Sequence, residues 1–98
     1  MPRHDVYALR DGALVLDVQA DLLEPLKTRI VVPLLPRASA PKPARGLNPV
    51  FLLGETEMVM VTQFLAAVPL AEMGAALGSL DAHHDDITRA LDMAFQGI

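Results

Sequence analysis

Cysteine and tryptophan are both absent from this 98-residue sequence. Without cysteine there is no disulfide and no thiolate chemistry, a usage compatible with a reducing cytoplasm. Basic residues are few, eight Lys and Arg against twelve Asp and Glu, for a net charge of −4 and a pI near 5.1. That balance argues against a protein that binds nucleic acid mainly through phosphate contacts. Arg37, Lys42 and Arg45 form the only basic cluster. No apolar run reaches the roughly 18–20 residues that span a bilayer. No charged-then-apolar leader opens the chain, so no export signal is expected and a cytoplasmic location is. A Gly-rich phosphate loop, a nucleophile elbow and internal repeats are also missing.

What is present is apolar: hydrophobic residues make up 52% and the mean hydropathy is +0.35. A chain of this length reads as one domain, residues 1–98. It buries only about 60–68% of its unfolded surface. More apolar surface than one small core can hide suggests a dimer interface or a bound partner.

Residues 4–19 read as a β-hairpin. Val6 to Leu9 precedes Asp11-Gly12, a two-residue turn signal. In the second strand Leu14, Leu16 and Val18 share one face; Val15, Asp17 and Gln19 share the other, expected to be solvated or hydrogen-bonded. A catalytic carboxylate at Asp17 is the sharper alternative. Asp21 to Pro25 breaks the pattern, with Leu22 and Leu23 adjacent in a polar loop. Arg29 to Leu35 reads as a strand buried on both faces or at an interface, with Pro33 marking an edge or bulge. Residues 36–49, with Pro36, Pro41, Pro43 and Pro49, read as an extended, mobile loop. Val50–Leu53, Gly54-Glu55 and Met58–Thr62 form a second hairpin, with Glu55 and Glu57 at its turn. Glu72–Leu77 reads as a strand end plus a turn of helix, weakened by Gly74 and Gly78.

The last stretch organises the rest. Ile87, Ala90, Leu91, Ala94 and Phe95 fall on one face at helical spacing. Ser79 or Asp81 caps the helix, Asp85 and Asp86 suit its positive end, and Gly97 stops it. His83 and His84 point about 100° apart on a helix and cannot chelate together, so no metal and no cofactor are expected. Gly97-Ile98 reads either as a frayed terminus or as an apolar, anionic tip suited to a partner's pocket.

In Ala90-Leu91-Asp92-Met93-Ala94-Phe95-Gln96-Gly97-Ile98 the chain resembles the CcdB toxins of toxin–antitoxin modules. The resemblance recurs in order through Asp17-Val18-Gln19, Arg29-Ile30-Val31-Val32-Pro33-Leu34, Asn48-Pro49-Val50 and Ala67-Val68-Pro69. Two hairpins and one terminal helix already suggest a small antiparallel sheet with a helix packed on it. The resemblance implies a mainly β fold, a strongly bent SH3-like sheet with one C-terminal helix, in a two-fold homodimer. It implies a poison rather than an enzyme, acting by inserting its helix tips into the DNA gyrase A subunit and trapping the gyrase–DNA complex. It also implies an antitoxin of the CcdA type as partner. The target-binding positions that carry over are Leu22, Leu23, Asp92, Phe95, Gln96, Gly97 and Ile98.

The chain departs from the family at Gln96, where the pattern has Trp. Gln hydrogen-bonds but cannot stack with comparable area. Losing an interface Trp typically costs about 2–4 kcal/mol. A relative that has lost gyrase poisoning and acts as an antitoxin-binding decoy or autoregulator is therefore the alternative. An endoribonuclease toxin of the same fold is the third reading, and it needs a basic cleft and an acid/base pair.

Overall fold

A computed structural model of the chain describes residues 2–97. Its strands are β1 (Asp5–Leu9), β2 (Leu14–Asp17), β3 (Thr28–Pro36), β4 (Val50–Leu53), β5 (Thr56–Met60), β6 (Ala66–Pro69) and β7 (Met73–Ser79). One helix, α1 (His84–Gln96), follows. The strands form one antiparallel sheet in the order β4-β5-β3-β2-β1-β7, and β6 also pairs with β3.

The long strand β3 explains why the sheet curls. Along one side it pairs with β2. Along the other it pairs with β6 over Thr28–Val31 and with β5 over Leu34–Pro36. Two partners must share one edge, so they splay and the sheet bends into a half-barrel. Pro33 lies where one partner hands over to the other, and its carbonyl accepts the Val61 N–H. It is neither on an edge strand nor in a bulge, as the sequence suggests; its missing donor falls at the gap between two partners.

Both hairpins are present. Gly54-Glu55 makes the tight connection between β4 and β5, with Gly54 at φ 64. The first turn is one residue longer than expected. Leu9 and Ala13 are bonded, and Arg10, Asp11 and Gly12 lie between, with Gly12 at φ 90. This is the three-residue loop that ends on a left-handed glycine.

Glu72–Leu77 is not a strand end plus a helical turn. A 3-10 turn at Leu70–Glu72 comes first, and the residues from Met73 onward are strand. Gly74 passes so close to β1 that a Cβ there would lie 2.6 Å from the Ala8 carbonyl oxygen. The glycine permits strand contact; it does not interrupt a helix. Register shifts along β1–β7 add twist.

The main core lies under α1. Val6, Leu16, Val32, Leu34, Phe51, Met58 and Met60 of the sheet meet Leu80, Ile87 and Ala90. A smaller cluster of Tyr7, Val15 and Val31 occupies the opposite face, covered by Val68 and Met73. The second face of β2 is thus buried, and Asp17 and Gln19 are buried with it. Of the two expectations for this face, the hydrogen-bonded one holds: Asp17 and Gln19 are buried and bonded, not solvated.

The loop before β4 is anchored at its end. Buried Asn48 donates to the Met60 carbonyl and to Gln63 Oε1, and accepts the Ala44 N–H. Ser39 and Ala40 bond back to Pro36. The segment is a series of pinned turns.

Candidate target-binding tip

The helix face predicted as apolar is covered only along its first half. Ile87 and Ala90 are buried and Leu91 is half-buried, while Ala94 is exposed and Phe95 is 71% exposed. α1 follows directly on the 3-10 turn Asp81–His83 and packs beside the turn Thr62–Phe64. Its end closes with Gly97 at φ 71, whose N–H donates to the Met93 carbonyl. The left-handed glycine satisfies an otherwise orphaned carbonyl. Met93 packs toward Gly46, where a Cβ would lie 2.7 Å from its methyl carbon. Beside it, Leu47, Thr62, Gln63, Leu65, Ala94 and Phe95 line an open cleft of about 460 Å³.

The structure therefore brings Asp92, Phe95, Gln96 and Gly97 together at one exposed helix end. Ile98 lies outside the described residues. Leu22 and Leu23 sit on a separate 3-10 turn, Asp21–Leu23, at 87% and 38% exposure. Both leucines are exposed.

A polar network that sequence reasoning missed holds that turn. Arg29 donates to Asp17 Oδ2 through Nε at 2.9 Å and through Nη2. Its Nη1 reaches Glu24 at 3.1 Å. Gln19 donates to the Leu23 carbonyl and accepts the Ile30 N–H, while its own N–H goes to Asp17 Oδ1. Both charged partners Asp17 and Arg29 are fully buried. Burial pushes the Asp17 carboxyl up from its usual range; the Gln19 N–H and Arg29 pull it down. This network positions a turn, and its sealed carboxylate does not meet solvent, so the catalytic alternative for Asp17 has no geometric support. A sequence signal existed: Asp and Arg inside two otherwise apolar neighbouring strands.

At the start of α1 no side chain caps the helix, because Ser79 Oγ accepts the Asp81 N–H instead. Asp81 bonds to His4 Nδ1 at 3.1 Å. Burial lowers the His4 pKa more than that bond raises it. Glu57 at the second turn is paired with Arg37 at 2.7 Å on the surface.

The description "CcdB protein" fits a family model over residues 3–97. The chain belongs to the CcdB family. The half-barrel with one terminal helix is also shared with solved structures. An endoribonuclease from a mycobacterial species superposes with a TM-score of 0.78 at 18% identity, covering 96% of this chain and 89% of that one. The Mycobacterium tuberculosis toxin MazF-mt6 gives 0.77 at 17%, covering 95% and 96%. A mycobacterial endoribonuclease solved with its cognate antitoxin gives 0.76 at 20%, covering 96% and 94%.

These likenesses correct one expectation. The resemblance to CcdB implies a protein that is not an enzyme. Proteins named endoribonucleases share this scaffold over nearly its whole length. The scaffold is one on which enzymes are built, and the exclusion of enzymatic activity is withdrawn. Among the described residues no helix is long and apolar enough to cross a membrane.

Proposed function

We propose that this CcdB-family toxin works by seating the end of α1 in the DNA gyrase A subunit and holding the gyrase–DNA cleavage complex. The observation that carries the reading is Phe95, a large aromatic side chain left 71% exposed on a helix whose buried half is well packed. A folded chain gains nothing from that placement, whereas a partner's pocket does. Gly97 and the turn bearing Leu22 and Leu23 complete the contact. The tip acts twice, from a two-fold homodimer, for which exposed Leu52, Phe64 and Leu77 offer apolar surface. A CcdA-like antitoxin neutralises the toxin in the cytoplasm.

The test is a DNA-cleavage titration with purified gyrase, wild type against Phe95→Ala. The wild type accumulates broken DNA. The variant folds normally but needs at least about thirtyfold more protein, as loss of a 2 kcal/mol hot spot requires. Equal potency would overturn the assignment. Gln96→Trp restores the family's stacking residue and raises potency; no gain means that another surface carries the contact.

A second reading, RNA cleavage, is favoured by the endoribonuclease neighbours. Fragmented RNA with intact DNA after induced expression would select it. Growth without harm, together with retained antitoxin capture, would select a decoy.

A further inference from the structure

We propose that His4, Asp81 and His84 form a binding site for a borderline divalent transition-metal ion, Zn²⁺ above all, that clamps the N-terminal turn to the start of α1.

The three side chains come from two places far apart in the chain and converge. One ligand atom of each lies within 4.8 Å of the others. His4 Nδ1 and Asp81 Oδ1 are 3.1 Å apart, and the two imidazole rings have centroids 5.2 Å apart. Tetrahedral zinc with bonds of about 2.0–2.2 Å sets its ligand atoms roughly 3.3–3.5 Å apart. One edge of that tetrahedron is already nearly formed. The remaining closure falls to His84 and Asp81, both exposed and able to change rotamer. Two imidazoles and a carboxylate are a donor set that zinc accepts, with a fourth position left for water.

The backbone keeps His4 where a ligand is needed. It is buried, and it holds φ 74, unusual for a residue with a Cβ. Its N–H donates to the Asp17 carbonyl, and its own carbonyl accepts the Leu80 N–H. Asp81 and His84 are three apart at the helix start and so share a face. His83, one residue earlier, packs on Phe51 with centroids 4.7 Å apart. The adjacent histidines do point apart, and the sequence argument against their joint chelation holds. What it could not see is a second histidine arriving from residue 4. Arg3 is a nearby opposing charge, and Asp81 is the carboxylate that acts against it. A metal here would join segments separated by 77 residues, a closure that favours the folded state.

The experiment is calorimetric titration of ZnCl₂ into the metal-free, untagged full chain, with thermal unfolding in parallel. The expected result is one Zn²⁺ per chain and a higher unfolding midpoint with zinc. In His84→Ala and Asp81→Asn, both at exposed positions, affinity falls at least about tenfold and the zinc-dependent rise shrinks accordingly. His83→Ala behaves as wild type. Circular dichroism verifies that the variants are folded. Absence of saturable binding in the wild type, or equal binding in His84→Ala, would overturn the site. A loss in His83→Ala equal to that in His84→Ala would overturn this ligand set.

Discussion

Replacing Arg29 by Met should be the most damaging single change on the second face of the sheet. The substitution keeps much of the side chain's length and apolar stem, but it strands the Asp17 carboxylate, which is wholly inaccessible. Breaking a buried pair from one side costs about 3–5 kcal/mol, because the remaining charge has no counter-ion. A domain of this size is stable by only about 5–15 kcal/mol. At about 4–8 °C per kcal/mol, the melting midpoint should fall by roughly 12–40 °C. The double variant Asp17→Leu/Arg29→Met removes both charges. It should recover part of the loss, leaving about 1–3 kcal/mol for the Gln19 N–H left without its acceptor. Urea unfolding of the wild type, both singles and the double closes the cycle. A loss of under about 0.5 kcal/mol in Arg29→Met, the range of an ordinary surface change, would refute the reasoning. A double variant no better than Arg29→Met would show that charge is not the cause.

Three further outcomes are expected. Ile87→Ala should cost about 2–5 kcal/mol in urea unfolding, since Ile87 is fully buried on the core-facing side of α1, whereas Phe95→Ala should stay within about 0.5 kcal/mol. Gly74→Ala should cost about 1–3 kcal/mol, because its methyl meets the Ala8 carbonyl, and amide exchange should speed up along β7. Tyr7 is buried, and burial, followed by nearby carboxylates, raises its phenol above the usual value of 10.0. Between 10.0 and its folded pKa only the unfolded chain releases that proton, so its stabilising contribution is lost as pH rises through this window. As the only tyrosine in a chain without tryptophan, Tyr7 can be followed by phenolate absorption. Titration at or below 10.0 in the folded protein would contradict the burial argument.

Much of the fold was legible because alternation and turn chemistry agree. Val6 to Leu9 and Leu14 to Asp17 alternate around Asp11-Gly12, and β3 is a β-branched run. Strand β7 was not legible. Gly, Ala and Leu dominate it, composition without strand preference, and its pairing with β1 imposes the conformation. Periodicity drew the apolar stripe of α1 correctly but could not show that its last part, Ala94 and Phe95, stays exposed. Contacts of high sequence separation, such as the His4–Asp81 bond, were invisible, whereas the Arg29–Asp17 pair left only the trace of two charges in apolar strands.

Because the same half-barrel carries CcdB-family proteins and proteins named endoribonucleases, side chains and not the sheet must settle the chemistry. RNA cleavage needs a cation and a proton-transfer group that reach a phosphate together. Arginine meets carboxylate at Arg29–Asp17, Arg37–Glu57 and Arg89–Asp86. The first is sealed; the other two stand open, Arg37–Glu57 beside the second hairpin, on another element than Phe95, and Arg89–Asp86 on α1 itself. The two readings therefore make opposite demands on the same variants. DNA breakage that disappears in Phe95→Ala, or when Gly97-Ile98 is deleted, but survives Arg37→Ala, places the activity at the helix end. RNA cleavage that survives the deletion and disappears in Arg37→Ala or Glu57→Gln places it at the hairpin. Loss of DNA breakage in Arg29→Lys, with stability intact, would point to the Leu22-Leu23 turn that the Arg29 network holds.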